Sequence, residues 1–212
     1  MEESLELSVL NFFSLSTEVR YAPSGIKNLN QHYCLPNSAE ISGEEEFVDW
    51  RMAWTDEGLL CDVKVEQPVG YVDAKRPRDG DSIELFIDTR DFKGAGYNTK
   101  YCHHFFFLPK KADGAVAGEI TNFRSDDAHD LCDPLLLFCD TKIQANTYQM
   151  RIHIHRDALV GFNPEFGRIG FSYRVNCFQG PTQHFSVTST DVVKIEEQPS
   201  LWASLGLGKC KQ

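Results

Sequence analysis

The stretch Asp81-Ser82-Ile83-Glu84-Leu85-Phe86-Ile87-Asp88-Thr89-Arg90 decides the fold class, because it has the pattern of a single β-strand. Its aliphatic residues are Ile83, Leu85 and Ile87, and a period of two places all three on one face. The carboxylates of Glu84 and Asp88 fall on the other face. Turn-forming residues precede the strand at 76–80 and follow it at 91–94. A strand with one apolar face and one acidic face is suited to form the floor of a ligand site.

Other segments on both sides show a similar alternation. The regular ones are 47–54, 59–65, 101–108, 148–154 and 169–177, and the weaker ones are 18–21, 115–123, 135–138 and 201–207. Because no long helical pattern separates them, the sequence predicts an all-β, antiparallel β-sandwich of the immunoglobulin or jelly-roll type. We expect a short N-terminal arm at residues 1–16 and a single domain at 17–208. Parity predicts one shared core for Trp54, Leu85, Ile87, Ile152, Ile154 and Phe171.

Composition limits the possible partners and compartment. The chain has 212 residues, of which 42% are hydrophobic, so it can bury a full core. Its 21 basic and 31 acidic residues give a net charge of −10, which argues against nucleic acid and anionic membrane as partners. The acidic start at residues 1–6 does not resemble a secretory signal, and the seven cysteines contain no CxxC pair. Reduced thiols and a cytoplasmic location are therefore expected.

Several motifs together resemble a known family. Residues 54–60 followed by 79–88 resemble a hairpin and strand of the family 9 carbohydrate-binding modules and their DOMON-like relatives. Three further matches follow in the same order, at 101–109 with Gly114, at 148–159 with 167–171, and at 199–205. The matches extend from about residue 17 to 208. The resemblance implies a β-sandwich that binds carbohydrate and is not an enzyme.

In the sugar-binding members of this family two Trp rings enclose the sugar. The matching positions here are Pro77-Arg78 and the segment at 185–187, so both rings are expected to be missing. Glu84 corresponds to a polar position six residues after the first Trp. The expected ligand is a saccharide or another small polar molecule, and an acidic ligand could pair with the arginines. The site residues implied by the resemblance are Arg76, Arg78, Glu84, His103, Arg174 and His184.

A scaffold domain is the main alternative to a binding module, and an enzyme is a weaker one. The chain could be a protein-interaction or scaffold domain that kept the sandwich and lost the sugar site, with Glu84 in a salt bridge to a nearby arginine. A catalytic function is not expected, because no GxSxG, P-loop or HExxH motif is present. Glu84 and Asp88 would also lie about 13 Å apart at ~3.3 Å per residue. Glycosidase carboxylates lie roughly 5–10 Å apart.

No cofactor is expected, although two groups of side chains offer possible metal ligands. His153 and His155 share a strand face and would need a third ligand from His103 or His104, so a polar outer face is the preferred interpretation. The acidic loop offers a possible structural calcium site, although its spacing is not that of an EF-hand. The loop carboxylates are Asp126, Asp127, Asp130 and Asp133.

Overall fold

A computed structural model describes residues 15–23, 28–189 and 193–208, so residues 1–14 of the expected arm lie outside the described part. The strands are β1 (Ser16–Tyr21), β2 (Val48–Thr55), β3 (Gly58–Val65), β4 (Ser82–Asp88), β5 (Cys102–Ala112), β6 (Ala115–Glu119), β7 (Leu137–Ile143), β8 (Tyr148–His155), β9 (Arg168–Asn176), β10 (Thr182–His184) and β11 (Ala203–Gly208). Helix α1 is a single turn, Ala39–Ser42, and several 3-10 turns connect the strands. No helix in these three ranges is long and apolar enough to cross a membrane.

The strands form a β-sandwich, which confirms the predicted fold class. Their order is β6-β5-β4-β9-β11-β1-β2-β3-β8-β7, and β10 pairs with the end of β9. The described pairs are antiparallel except those of β1, which runs parallel to β11 and then to β2. β1 therefore passes from one layer to the other, as strands at the corners of such folds do. The sequence pattern does not reveal the direction of this strand, because a strand buries the same residues in parallel and in antiparallel pairing.

The core lies between the two layers and contains every residue that parity assigned to it. Trp54, Leu85, Ile87, Ile152, Ile154 and Phe171 belong to one buried cluster. Trp50 also lies in this cluster and stacks on Tyr173, with ring centroids 4.1 Å apart. The indole N–H of Trp54 donates a hydrogen bond to the Gly208 carbonyl at 3.0 Å, which ties β2 to the end of β11. Both tryptophans are therefore structural.

The second face of β4 is also buried, although its carboxylates had suggested an open ligand-site floor. Phe86 lies on this face beside Trp202, with ring centroids 5.9 Å apart, and Val187 and Ile195 complete a second apolar cluster. Residues 185–189 and 193–202, which we call the covering segment, supply most of this cluster. The segment has no strand or helix periodicity, so the sequence pattern gave no indication that it covers the sheet.

The segment at 135–138, for which the sequence predicts a buried strand or turn, is a turn followed by a strand but is largely exposed. Pro134–Leu136 is a 3-10 turn, and Leu135 is 90% exposed. Strand β7 begins at Leu137, which is buried, while Phe138 is 57% exposed. Burial alternates along the first residues of β7, so only one of its faces is covered, and an apolar run there does not imply burial.

The first prediction tests the core at its most buried aliphatic position. Leu85 is fully buried, so Leu85→Ala should lower the free energy of unfolding by about 2–5 kcal/mol through lost contacts and a residual cavity. Urea denaturation followed by circular dichroism measures this value. Leu135→Ala is the matched control, and its exposed side chain predicts a change below about 0.5 kcal/mol. Equal effects of the two substitutions would contradict the assigned core.

The second prediction concerns the thiols. None of the six cysteines in the described residues forms a disulfide, and among these six only Cys34 is exposed. Burial raises the pKa of the Cys102 thiol to about 12, which disfavours its reactive thiolate. In the native protein an aromatic disulfide reagent should modify Cys34 rapidly, and Cys34→Ser should remove one equivalent from the fast phase. In the denatured, unreduced protein we expect all seven thiols to react; a total near one would indicate three disulfides.

Candidate functional site

The outer face of β4 carries a buried polar network centred on Glu84. Strands β5 and β9 flank β4. Arg174 on β9 lies opposite Glu84, and His104 on β5 lies opposite Phe86. The carboxylate accepts hydrogen bonds from His104 Nε2 at 2.8 Å, Arg174 Nη2 at 2.6 Å and Asn176 Nδ2 at 2.7 Å. The Glu84 residue is 1% exposed. Its hydrogen-bonding capacity is therefore largely used within the protein.

The electrostatics of Glu84 follow from these contacts. Burial alone would raise the pKa of its carboxyl group, but the His104 hydrogen bond and the charge of Arg174 outweigh burial and lower the pKa to about 2. Glu84 is thus a charged group inside the protein, held by an ion pair rather than by solvent. Such a pair is costly to break, because one charge remains buried without its partner.

Arg174 extends this network to the covering segment. Its Nη1 atom donates to Ser189 Oγ at 3.0 Å and to Glu196 Oε2 at 3.3 Å. Glu196 also lies 3.7 Å from Arg78 Nη1, so a chain of charges leads from the buried carboxylate to the surface. The covering segment is consequently fastened to the sheet by ion pairs as well as by the apolar contacts of Trp202.

The expected site residues do not converge on one pocket. The side chains of Arg76 and Arg78 are 71% and 55% exposed, and Arg76 pairs with Asp73 and Asp79. His184 lies opposite Arg174 on the neighbouring strand β10, where its Nδ1 donates to Glu44 at 2.6 Å and its Nε2 accepts from the Ser189 N–H at 3.4 Å.

His103 has the opposite parity to His104 and therefore faces the inner layer, where its ring stacks on Phe105. Glu84 and Arg174 form one buried site, to which Arg78 and His184 are connected through Glu196 and Ser189, whereas Arg76 lies at the surface and His103 on the opposite face of the sheet.

A second cluster joins His103 to residues that sequence reasoning did not identify. Glu119, the last residue of β6, accepts at Oε1 from His103 Nδ1 at 2.8 Å, and His129 Nε2 lies 2.9 Å from the same oxygen. Burial dominates at His103 and lowers its pKa, whereas the Glu119 contact raises the pKa of His129 against the effect of burial. The loop that carries His129 has no periodic pattern, so no local signal indicates that this residue returns to the sheet.

Apart from His103, the candidate metal ligands predicted from the sequence lie outside the Glu119 cluster. His153 and His155 have ring centroids 6.3 Å apart on β8, on a strand that pairs with β3 and β7 rather than β5. In the acidic loop, Asp127 pairs with Lys100 at 3.4 Å, and Asp133 accepts from the backbone N–H of Leu135. These contacts are ordinary surface and turn interactions.

A surface depression lies between the loop before β4 and the β5–β6 turn. It has a volume of about 700 Å³, and the residues of interest in its lining are Tyr71, Asp73, Lys75, Lys110, Lys111 and Asp113. The Tyr71 residue is 47% exposed, and its ring lies 5.3 Å from that of Phe178. Buried Asp81 holds both rings in place, because its carboxylate accepts from the backbone N–H groups of Gly70 and Phe178. The depression combines an aromatic surface with polar groups of both charges.

Comparisons with known proteins find similar structures, but no similar sequence among family models or curated proteins. No protein-family model matches the chain, and no curated protein is detectably similar to it. A family 9 carbohydrate-binding module from Caldicellulosiruptor kristjanssonii, solved with cellotriose, has a TM-score of 0.64 at 17% identity, covering 93% of this chain and 96% of the module.

The same type of module solved with glucose has a TM-score of 0.62 at 16% identity, covering 92% of this chain and 97% of the module. A candidate carbohydrate-binding protein from Bacteroides uniformis has a TM-score of 0.54 at 11% identity and covers 92% of this chain and 100% of its own length. The chain therefore has the fold of a family 9 carbohydrate-binding module over nearly its whole length.

Proposed function

We propose that this protein is a non-catalytic binding module for saccharides and that it binds them at the depression beside Tyr71. The observation that carries the proposal is a half-exposed aromatic ring, held by Asp81, over a concave polar surface in a sugar-module fold. An aromatic face contacts pyranose C–H groups, and convergent polar side chains fix the hydroxyls. The two Caldicellulosiruptor modules, solved with cellotriose and glucose, support the substrate class.

The buried network explains why we propose this surface rather than the face around Glu84. At the two expected clamp positions stand Arg78 and a segment whose Phe185 and Val187 are buried. Glu84 and Arg174 satisfy each other, so a sugar hydroxyl there would have to displace an ion pair. Arg76 and Arg78 remain at the surface, and Arg76 bonds to Asp73 in the depression. We therefore propose Arg76 and Arg78 as rim residues of the site.

A catalytic function finds no support on this sheet. A glycosidase needs one carboxylic acid and one carboxylate that reach the same bond. Glu84 is engaged with His104 and Arg174, and Asp88 accepts from the backbone N–H groups of Arg90 and Phe92. Both carboxylates therefore have structural partners.

One observation favours a scaffold function as the alternative. Strand β7 and the turn before it expose Leu131, Leu135, Phe138 and Ile143, each at least half exposed. Exposed apolar residues near an edge strand are typical of protein-interaction surfaces. A protein partner at this edge would leave the depression without a ligand, so saccharide binding separates the two functions.

Calorimetric titration tests the saccharide proposal. Neutral glucose and cellobiose should bind with a Kd near or weaker than about 1 mM, because a few neutral hydrogen bonds barely exceed the cost of association. Glucuronate and a sulfated sugar should bind about tenfold tighter, since Lys75, Lys110 and Lys111 outnumber the two carboxylates of the depression. This preference should decrease at high salt.

Two tyrosines provide a matched pair of variants for the same titration. Tyr71→Ala should weaken saccharide binding about tenfold through loss of the stacking surface. Tyr97→Ala removes a ring that is similarly exposed, at 44%, outside the depression, and should leave binding unchanged. Binding that is insensitive to Tyr71→Ala would contradict the proposed site. Absence of binding by every sugar would support the scaffold function.

The Glu84 network predicts a pH-dependent stability. Because the folded-state pKa, about 2, lies below the ordinary value of 4.5, the carboxylate stabilises the protein at neutral pH by about 3 kcal/mol. This stabilisation is lost as the pH falls from about 4.5 towards 2. Glu84→Gln should therefore be less stable than the wild type by about 3–5 kcal/mol at pH 7.

The difference between the two proteins should narrow over the same acidic range. Urea denaturation at pH 7, 5 and 3 measures it, and Glu66→Gln, a strand-end residue with a 61% exposed side chain, is the control. A Glu84→Gln variant as stable as the wild type at pH 7 would show that the ion pair contributes nothing net to stability.

A further inference from the structure

The cluster at the end of β6 gathers three groups that commonly bind metals. Its ligand atoms, on His103, Glu119 and His129, all lie within 4.8 Å of one another. The His103 and Glu119 side chains are fully buried, and that of His129 is 7% exposed. Each group comes from a different element: His103 from β5, Glu119 from β6, and His129 from the loop that follows. A metal here would tie this loop to the edge of the sheet.

Three side-chain atoms crowd one oxygen of the Glu119 carboxylate. His103 Nδ1, His129 Nε2 and Thr121 Oγ1 all face Oε1, and Thr121 Oγ1 is 2.7 Å away. A carboxylate oxygen offers about two lone-pair positions. His103 Nδ1 and Thr121 Oγ1 are enough to fill both, whereas one cation at the centre of the cluster would satisfy the oxygen and both ring nitrogens together.

The second nitrogen of His129 is held as in metal-ligating histidines. His129 Nδ1 donates to the Lys100 carbonyl at 2.7 Å, so Nε2 is the nitrogen that faces Glu119. A positive charge is needed between Nε2 and Oε1, and either a proton on Nε2 or a metal ion supplies it. A backbone carbonyl that holds the distal N–H of an imidazole is the usual support of a metal-ligating histidine.

The carboxylate of Glu119 is oriented in the same way. Its second oxygen, Oε2, accepts from the backbone N–H of Cys132 at 2.8 Å. This bond leaves Oε1 as the atom that faces both imidazoles, so Glu119 would bind a metal through one oxygen. Both Glu119 and His129 thus have partners on the side away from the cluster centre.

We propose that His103, Glu119 and His129 form a zinc site, binding through Nδ1, Oε1 and Nε2 and leaving the fourth coordination position to water. Two imidazoles and a carboxylate are a zinc ligand set, whereas calcium and magnesium prefer oxygen ligands only. Tetrahedral zinc with bonds of about 2.0–2.1 Å separates its ligands by about 3.3 Å. The two nitrogen–oxygen distances of 2.8 and 2.9 Å need to open by only about half an ångström.

Zinc titration of the full-length protein tests this site. The protein is first treated with chelator and carries Cys34→Ser, because the exposed Cys34 thiol could bind zinc independently. Calorimetry should show one zinc per chain, and thermal unfolding should show a Tm that rises with zinc and returns with chelator. X-ray absorption at the zinc edge should show a first shell of nitrogen and oxygen.

Variants connect the zinc to the three residues. His129→Gln and Glu119→Gln should each weaken zinc binding by more than about a hundredfold, since loss of an outer partner alone costs about 10–100-fold. His155→Gln, a half-exposed histidine on β8, should bind zinc as the parent protein does.

Circular dichroism of the metal-free proteins checks that the variants are folded. A folded parent protein without a zinc-dependent Tm would overturn the proposal. A sulfur-dominated first shell, or equal binding by His129→Gln and the parent, would overturn it as well.

Discussion

The buried ion pair between Glu84 and Arg174 is the constraint on which the arrangement of the sheet face depends. It joins β4 to β9, while His104 joins the same carboxylate to β5. Through Glu196 and Ser189 the arginine also holds the covering segment on the sheet. Removing Glu84 leaves the buried Arg174 with Glu196 as its remaining ionic partner, so the central strands and their cover are fastened by one connected set of contacts.

This constraint separates the roles of the two sheet faces. The inner face of β4 lies in the main core, and the outer face, where Phe86 meets Trp202, forms a second and smaller core. A strand buried on both faces cannot present a ligand site in its middle. Groups that can interact with solvent and small molecules are therefore found away from the middle of β4, as in the depression beside Tyr71.

Much of the fold could be predicted from local patterns. The alternation of Leu85 and Ile87 in β4, and of Ile152 and Ile154 in β8, identified both the strands and their core faces. Patterns of period two cannot identify pairing partners, and this is why the parallel pairing of β1 was not predicted.

The site was less predictable for a related reason. Glu84 and Arg174 were both expected to be site residues, but burial of a strand face depends on a segment that lies about a hundred residues further along the chain. His129 and Tyr71 lie in loops without periodicity, and their neighbours are set by tertiary contacts alone. His103 was placed with Glu84, although adjacent residues on a strand point to opposite faces, so its neighbour His104 is the one that contacts the carboxylate.

The parallel pairing of β1 has a consequence for how the chain folds. Ser16 lies opposite Ser204, and the Ser204 amide donates to the Leu15 carbonyl, so the earliest and latest described strands are hydrogen-bonded neighbours. Contacts between residues so far apart in sequence require a large loss of chain entropy before they form, which slows folding. During synthesis, β1 cannot find its partner β11 until nearly all of the chain is available. The backbone hydrogen bonds that join the two layers through β1 can therefore form only after β11 has been made.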